Sequence, residues 1–194
     1  TSINLPNSIE YVGQYAFNGC NALQIQTDDY GVEYIGNDEN PYLVLVDAGG
    51  LTTDTYIVNS NCKVIGAYAF NELTTLTNIT LSSSLAFINN NAFYYCTSLT
   101  ILDLNDCINL TSIGSSAFFR CSGLTSIILN QYLFENATSG TACGNLLQNI
   151  TSGETVYVPA NLIDELHLTN SYLDGDTFTR SETAVDRYYI YTKI

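Results

Sequence analysis

The chain has 194 residues, 46% of them apolar, and 19 acidic against 5 basic residues give a net charge of -14. That is enough apolar content for one sizeable domain. The charge balance argues against nucleic acid and anionic membrane, because both need clustered Lys and Arg. Charged residues make up only 12% of the chain, so solubility rests on Thr, Ser and Asn. No apolar run reaches the roughly 18 residues that span a bilayer, so no membrane insertion is expected within this chain. It lacks Met and begins inside a repeat at Thr1-Ser2-Ile3, as a processed or excised piece would.

Taken in order, the chain repeats one phrase. Ala16-Phe17, Ala69-Phe70, Ala92-Phe93 and Ala117-Phe118 are the same dipeptide, followed three residues after Phe by Cys20, Leu73, Cys96 or Cys121. Leu23, Leu76, Leu99 and Leu124 come six residues after Phe. Gly13, Gly66, Asn89 and Gly114 stand four before it, each preceded by Val12, Ile65, Ile88 or Ile113. Three glycines and an Asn predict a backbone site at positive φ. Repetition of this kind marks a solenoid, whose units bury apolar surface only against their neighbours.

Residues 1–27 read as a first repeat, with Ile3 and Leu5 in strand positions. Residues 28–51 break the grid. Val32 to Ile35 and Pro41 to Val46 are β-rich runs joined by Gly, Asn and Asp, which predicts a hairpin insertion. Residues 52–129 carry the clearest repeats. Leu76-x-x-Ile79-x-Leu81, Leu99-x-x-Leu102-x-Leu104 and Leu124-x-x-Ile127-x-Leu129 alternate as short strands do, and Tyr56/Val58 fit the same pattern. The Ala-Phe turns suit a helical or 3₁₀ turn. Residues 130–194 read as an irregular last repeat and a C-terminal cap, with a strand at Val156 to Pro159 and a short helix at Asn161 to Leu166. The expected fold is an α/β repeat: a short leucine-rich-repeat solenoid in a single domain. Its core is expected to include Val12, Phe17, Phe70, Phe93 and Phe118 with the strand leucines and isoleucines.

The repeat Ile-Gly-x-x-Ala-Phe-x-x-Cys-x-x-Leu-x-x-Ile-x-Leu, clearest at residues 64–81, 87–104 and 112–129, resembles the BspA-type, or Treponema pallidum-type, leucine-rich repeats. Val156 to Asp164 resembles the end of such arrays. The resemblance implies a secreted or cell-surface protein of the kind found in anaerobic bacteria and some parasitic protozoa. It implies adhesion to a protein ligand on a host or neighbouring cell, and it transfers no catalytic residues.

The chemistry-bearing residues agree with a non-enzyme that uses no cofactor. His167, the sole histidine, lies beside Glu165 and reads as a surface residue, since nothing else supplies a nucleophile-base pair. Cys20, Cys96 and Cys121 share a column with Leu73, which predicts buried packing thiols, and Cys107 has a structural turn position. Cys62 and Cys143 complete the six, and the spacings fit no zinc pattern. Asp28, Asp29, Glu33, Asp38, Glu39, Asp47 and Asp54 gather in or beside the insertion. They read either as a calcium or basic-partner site or as a solvated hairpin, and no EF-hand spacing supports calcium. Asp174-Gly175-Asp176 is a weaker calcium candidate.

The outward positions of the strands are the candidate partner surface. They are Asn4, Ile57, Thr80, Asp103 and Ile128, flanked by Thr55, Asn78, Ile101 and Ser126. Three isoleucines there are apolar where solvent is expected. The sequence reads as a non-catalytic extracellular protein-binding or adhesion module. The alternatives are a structural spacer repeat, or an accessory module of a surface enzyme whose catalytic part lies outside the chain.

Overall fold

The computed structural model describes residues 3–17, 19, 20, 22–130, 132, 155–159, 178–180 and 188–193. Its strands are β1 (Gln26–Thr27), β2 (Glu33–Ile35), β3 (Val44–Asp47), β4 (Thr55–Ile57), β5 (Val64–Ile65), β6 (Asn78–Thr80), β7 (Phe87–Ile88), β8 (Ile101–Asp103), β9 (Ser112–Ile113), β10 (Ser126–Ile128), β11 (Thr155–Pro159), β12 (Phe178–Arg180) and β13 (Tyr188–Lys193). The coils that carry β4 to β9 each contribute a three-residue strand to one sheet and a two-residue strand to another.

The two-residue strands β5, β7 and β9 join β1, β2 and β3 in a six-stranded sheet in the order β1-β2-β3-β5-β7-β9. β3, β5, β7 and β9 run parallel, as successive coils must, whereas β2 pairs antiparallel with both β1 and β3. β1 and β2 therefore add an antiparallel edge to the coil sheet, and β3 runs with the coils. Pro41 lies in the turn before β3, three residues ahead of the strand's first residue.

The three-residue strands β4 and β6 pair with each other, and β8 and β10 stack with the five-residue β11, all parallel. The Thr100 amide donates to the Thr77 carbonyl at 3.2 Å and brings β6 beside β8. β13 pairs antiparallel with β11, and β12 with β13. The rest of the expected cap, the expected helix at 161–166, His167, Cys143 and Asp174-Gly175-Asp176 lie outside the described residues.

Alternation on the strands divides inside from outside. Tyr56, Ile79, Leu102 and Ile127 point inward from β4, β6, β8 and β10, and Leu45, Ile65, Ile88 and Ile113 from β3, β5, β7 and β9. Between them Phe70, Phe93 and Phe118 form a continuous stack. Ring centroids are 4.7 and 4.9 Å apart and planes tilt by 8° and 7°. A coil spacing near the inter-strand distance of a sheet forces this parallel stacking.

The Ala-Phe segments are not helical, so the α component of the expected fold is absent from these repeats. Gly66–Leu73 is a run of turns. The amides of Ala69, Asn71 and Leu73 bond back to the carbonyls of Gly66, Tyr68 and Phe70. The amides of Tyr68, Phe70 and Glu72 between them bond forward to Asn90, Tyr94 and Ala92 carbonyls of the next coil, with Phe70 meeting Ala92 at 2.7 Å. A helix would spend every amide within its own turn, and here alternate amides join the coils.

Left-handed residues make this possible, and they are not the ones expected. Gly13, Gly66, Asn89 and Gly114 are not at positive φ. The residues two places further on are: Tyr15 (56°), Tyr68 (62°), Asn91 (55°) and Ser116 (55°). A second set lies two after each Phe: Gly19 (77°), Glu72 (59°), Tyr95 (65°) and Arg120 (62°). Seven of these eight carry a side chain, so composition hides them. At Gly66 and Gly114 the column answers to crowding instead, whereas Gly13 has room for a Cβ. A Cβ on Gly114 would lie 2.4 Å from the Asn90 nitrogen, and one on Gly66 would lie 3.0 Å from the Leu45 oxygen.

The N-terminal unit departs most from expectation. Residues 3–5 form no strand, Phe17 is only partly buried, and Ala16 and Cys20 are exposed. The unit packs on the outer side of the six-stranded sheet, not in line with the stack. Leu5 and Val12 join Ile35, Leu43, Val44 and Val64 in a second apolar cluster, with Phe17 and Phe87 against it. Asn89 ties it down. Its Nδ2 donates to the Glu10 carbonyl at 2.9 Å and its Oδ1 accepts from the Val12 amide at 2.9 Å. Asn in the glycine column is thus a side-chain clamp.

Candidate functional site

The exposed face of β4, β6, β8 and β10 carries eight of the nine expected contact residues in two columns. Thr55 pairs with Asn78, and Ile101 with Ser126. Ile57 pairs with Thr80, and Asp103 with Ile128. Ile57 is 74% exposed and Ile101 43%, while Ser126 and Ile128 are half-buried. Asn4 is exposed but belongs to the displaced N-terminal unit. Its neighbour Leu5 bonds through its amide to the Gly36 carbonyl, so Asn4 does not extend these columns.

A threonine ladder edges the face. Thr77 Oγ1 donates to the Asp54 carbonyl at 3.0 Å, Thr100 to Thr77 at 3.2 Å, Thr125 to Thr100 at 3.1 Å, and Thr155 to Thr125 at 3.1 Å. Each hydroxyl satisfies a carbonyl on the preceding coil, so side chains and backbone lock the same register. β-branched Thr also favours the extended backbone on either side.

The acidic residues of the insertion divide by role. Asp28 is structural. Its Oδ1 accepts from the amides of Tyr30 (2.9 Å) and Val32 (3.0 Å), and its Oδ2 accepts from the Tyr56 hydroxyl (2.5 Å). Tyr56 in turn meets the Tyr34 hydroxyl, and burial raises the pKa of both phenols, Tyr34 to about 12. Asp28 thus organises the turn before β2, and its oxygens are taken. Among the described residues no group of three or more His, Cys, Asp or Glu is placed to hold a metal ion.

The described cysteines are free thiols. Cys96 and Cys121 donate to the Phe70 and Phe93 carbonyls of the preceding coils at 3.0 and 3.1 Å. Cys62 donates to Val64 at 3.3 Å. Burial pushes Cys62 and Cys107 up to about 12. Cys96 is raised by its hydrogen bond with Cys121 and by burial. Thiols held protonated are poor nucleophiles. Native protein treated with iodoacetamide at pH 8 should be alkylated rapidly at exposed Cys20, with the buried Cys62, Cys96, Cys107 and Cys121 shielded by packing until urea unfolds the coils. Peptide mass mapping reads this directly, and rapid labelling of Cys96 would contradict the packing.

Stacked coils with a parallel strand and a compact turn apiece, built on a repeating Leu and Phe core, define a leucine-rich-repeat solenoid. The sequence profile of the BspA type leucine rich repeat region matches residues 1–39 and 51–164 in 6 copies. The match covers most of the chain, which belongs to that family. It skips residues 40–50, which hold β3. A leucine-rich repeat protein from Eubacterium ventriosum ATCC 27560 is 22% identical with a TM-score of 0.48, over 71% of this chain and 41% of that one. The T. pallidum leucine rich repeat protein is 23% identical with a TM-score of 0.36, over 68% of this chain and 49% of that one. The chain thus spans less than half the length of either. No curated protein matches it. Leucine-rich-repeat architecture points to a protein-binding module, and among the described residues no helix is long and apolar enough to cross a membrane.

Proposed function

We propose that this chain is a non-catalytic adhesion or protein-binding module of a secreted or cell-surface protein, and that the face of β4, β6, β8 and β10 receives the partner. The observation that carries this reading is Ile57, 74% exposed on a regular strand beside Thr80. Water-exposed isoleucine on a rigid sheet gains about 2 kcal/mol when a partner covers it. Thr55, Asn78, Asp103 and Ser126 provide the polar rim, with Ile101 and Ile128 continuing the apolar contact. The family supports a surface location, as its members are typically secreted or surface-attached.

The test is binding of the folded chain to immobilised extracellular-matrix proteins, in parallel with an Ile57→Asp/Ile101→Asp variant. Saturable binding reduced at least about tenfold in a variant of unchanged melting temperature is expected, since buried apolar anchors dominate such interfaces. Binding equal in both would remove the face from the reading. Absence of binding by either would favour a spacer that displays another domain.

A further inference from the structure

A cleft of about 440 Å³ opens between the N-terminal unit and the six-stranded sheet. Residues 12–17 border it on one side, β2 and β3 contribute Glu33, Val46 and Asp47, and the turn after β5 contributes Tyr68. Tyr15 and Phe17 complete the aromatic lining. None of this belongs to the face of β4, β6, β8 and β10.

Glu33 and Asp47 are register partners across β2 and β3. Like charges placed directly opposite on a sheet are destabilising. The ladder also shifts register between Glu33 and Tyr34, an irregularity of the kind that re-aims a side chain. Glu33 is held above the usual carboxylate range, by partial burial first and by Asp47 second. No Lys, Arg or His is among the described residues that line the cleft. Lys63 is the only basic residue in the first 119 of the chain. The protein thus places two facing carboxylates in a concavity and supplies no cation of its own.

We propose that this cleft binds the side chain of a lysine or arginine presented by a partner protein. The carboxylates would take the cationic head, while Phe17 and Val46 lie against the aliphatic stem. Tyr15 and Tyr68 offer ring faces that attract a cation. A calcium ion fits less well. It takes six to eight oxygens, and one Asp47 oxygen already accepts the Gly49 amide at 2.7 Å. A protein suits the site better than a free amine because the lining continues along the coils. Tyr68 contacts Tyr94 at 6.3 Å and Tyr94 contacts Phe119 at 5.6 Å, which gives flanking residues an aromatic track. The proposal rests on the reading of the chain as a protein-binding module but uses a separate surface.

The experiment is an NMR titration of the isotope-labelled chain with a pentapeptide, Gly-Tyr-Lys-Tyr-Gly with blocked ends, and with the same peptide acetylated on lysine. Saturable shifts at Tyr15, Glu33, Asp47 and Tyr68 are expected with the first and at least about tenfold weaker binding with the second, since acetylation removes the charge. Glu33→Gln/Asp47→Asn should lose the difference and melt no lower than the parent, because repulsion is relieved. Asp38→Asn/Glu39→Gln removes the same charge outside the cleft and should bind as the parent does. Equal binding of both peptides, equal weakening by the two double variants, or absence of shifts at the cleft would each overturn the proposal. The matrix-binding assay with Ile57→Asp/Ile101→Asp is read independently, so failure at one surface leaves the other result standing.

Discussion

Phe93→Ala is expected to destabilise the chain by about 3 to 5 kcal/mol, with the midpoint of urea unfolding as the readout. Phe93 is fully buried and is the middle ring of three, in contact with Phe70 on one side and Phe118 on the other. Truncation leaves a cavity the size of a ring between two coils whose spacing is fixed by main-chain hydrogen bonds, so the walls collapse little. Two offset ring contacts are lost as well, each worth about 1 kcal/mol beyond area. Because each coil touches only its neighbours, the defect also weakens coupling between the coils before and after it. A shallower, broader transition should therefore accompany the lower midpoint. An unchanged midpoint would mean that Phe93 does not bridge the coils.

Asn89→Gly is expected to destabilise, although it restores the residue that the other repeats carry at this column. The substitution removes both hydrogen bonds that hold Glu10 and Val12. The buried Val12 amide loses its partner at about 1 to 3 kcal/mol, and the part-buried Glu10 carbonyl loses its partner too, so the N-terminal unit should open locally instead. Amide exchange at Val12 should accelerate by about a hundredfold, the equivalent of ~3 kcal/mol, while Ile65 and Leu102 stay protected. Unchanged exchange at Val12 would show that the Asn89 clamp is dispensable and that the apolar cluster, with the Leu5 amide on Gly36 and the Ala67 amide on Val12, anchors the unit.

The same residue shows how far the sequence could be read. Strand positions and ring stack were legible because burial imposes period-two alternation and a fixed Phe-to-Leu spacing, and Leu76, Leu99 and Leu124 are all buried at that spacing. The turns were misread because left-handed backbone there is enforced by bonds to the adjoining coil, and Tyr68, Glu72 and Arg120 tolerate it without a glycine to advertise it. Asn89 looked like a conformational substitute for glycine, since a contact with a segment 77 residues away leaves no local trace. The placement of Asn4 failed for the same reason: repeat grammar puts it on the strand face, but the unit's position is decided by Val44, Val64 and Phe87 on the outer side of the sheet. The eight other residues stand at outward strand positions because alternation alone assigns them there. The cleft was not, because Glu33 and Asp47 become neighbours only through strand pairing, although the excess of acid before Lys63 was visible.

The threonine ladder bears on how the exposed face meets anything at all. Hydroxyls on a protein surface ordinarily hold water, and a docking partner must strip that water away at a cost in free energy. Thr77, Thr100, Thr125 and Thr155 have their donors committed inward to carbonyls of the preceding coil. Their methyl groups and the acceptor side of each oxygen remain as the surface they offer. Along this edge the face is therefore drier than its composition suggests, and a ligand arriving there meets a smaller desolvation penalty than a row of free hydroxyls would impose.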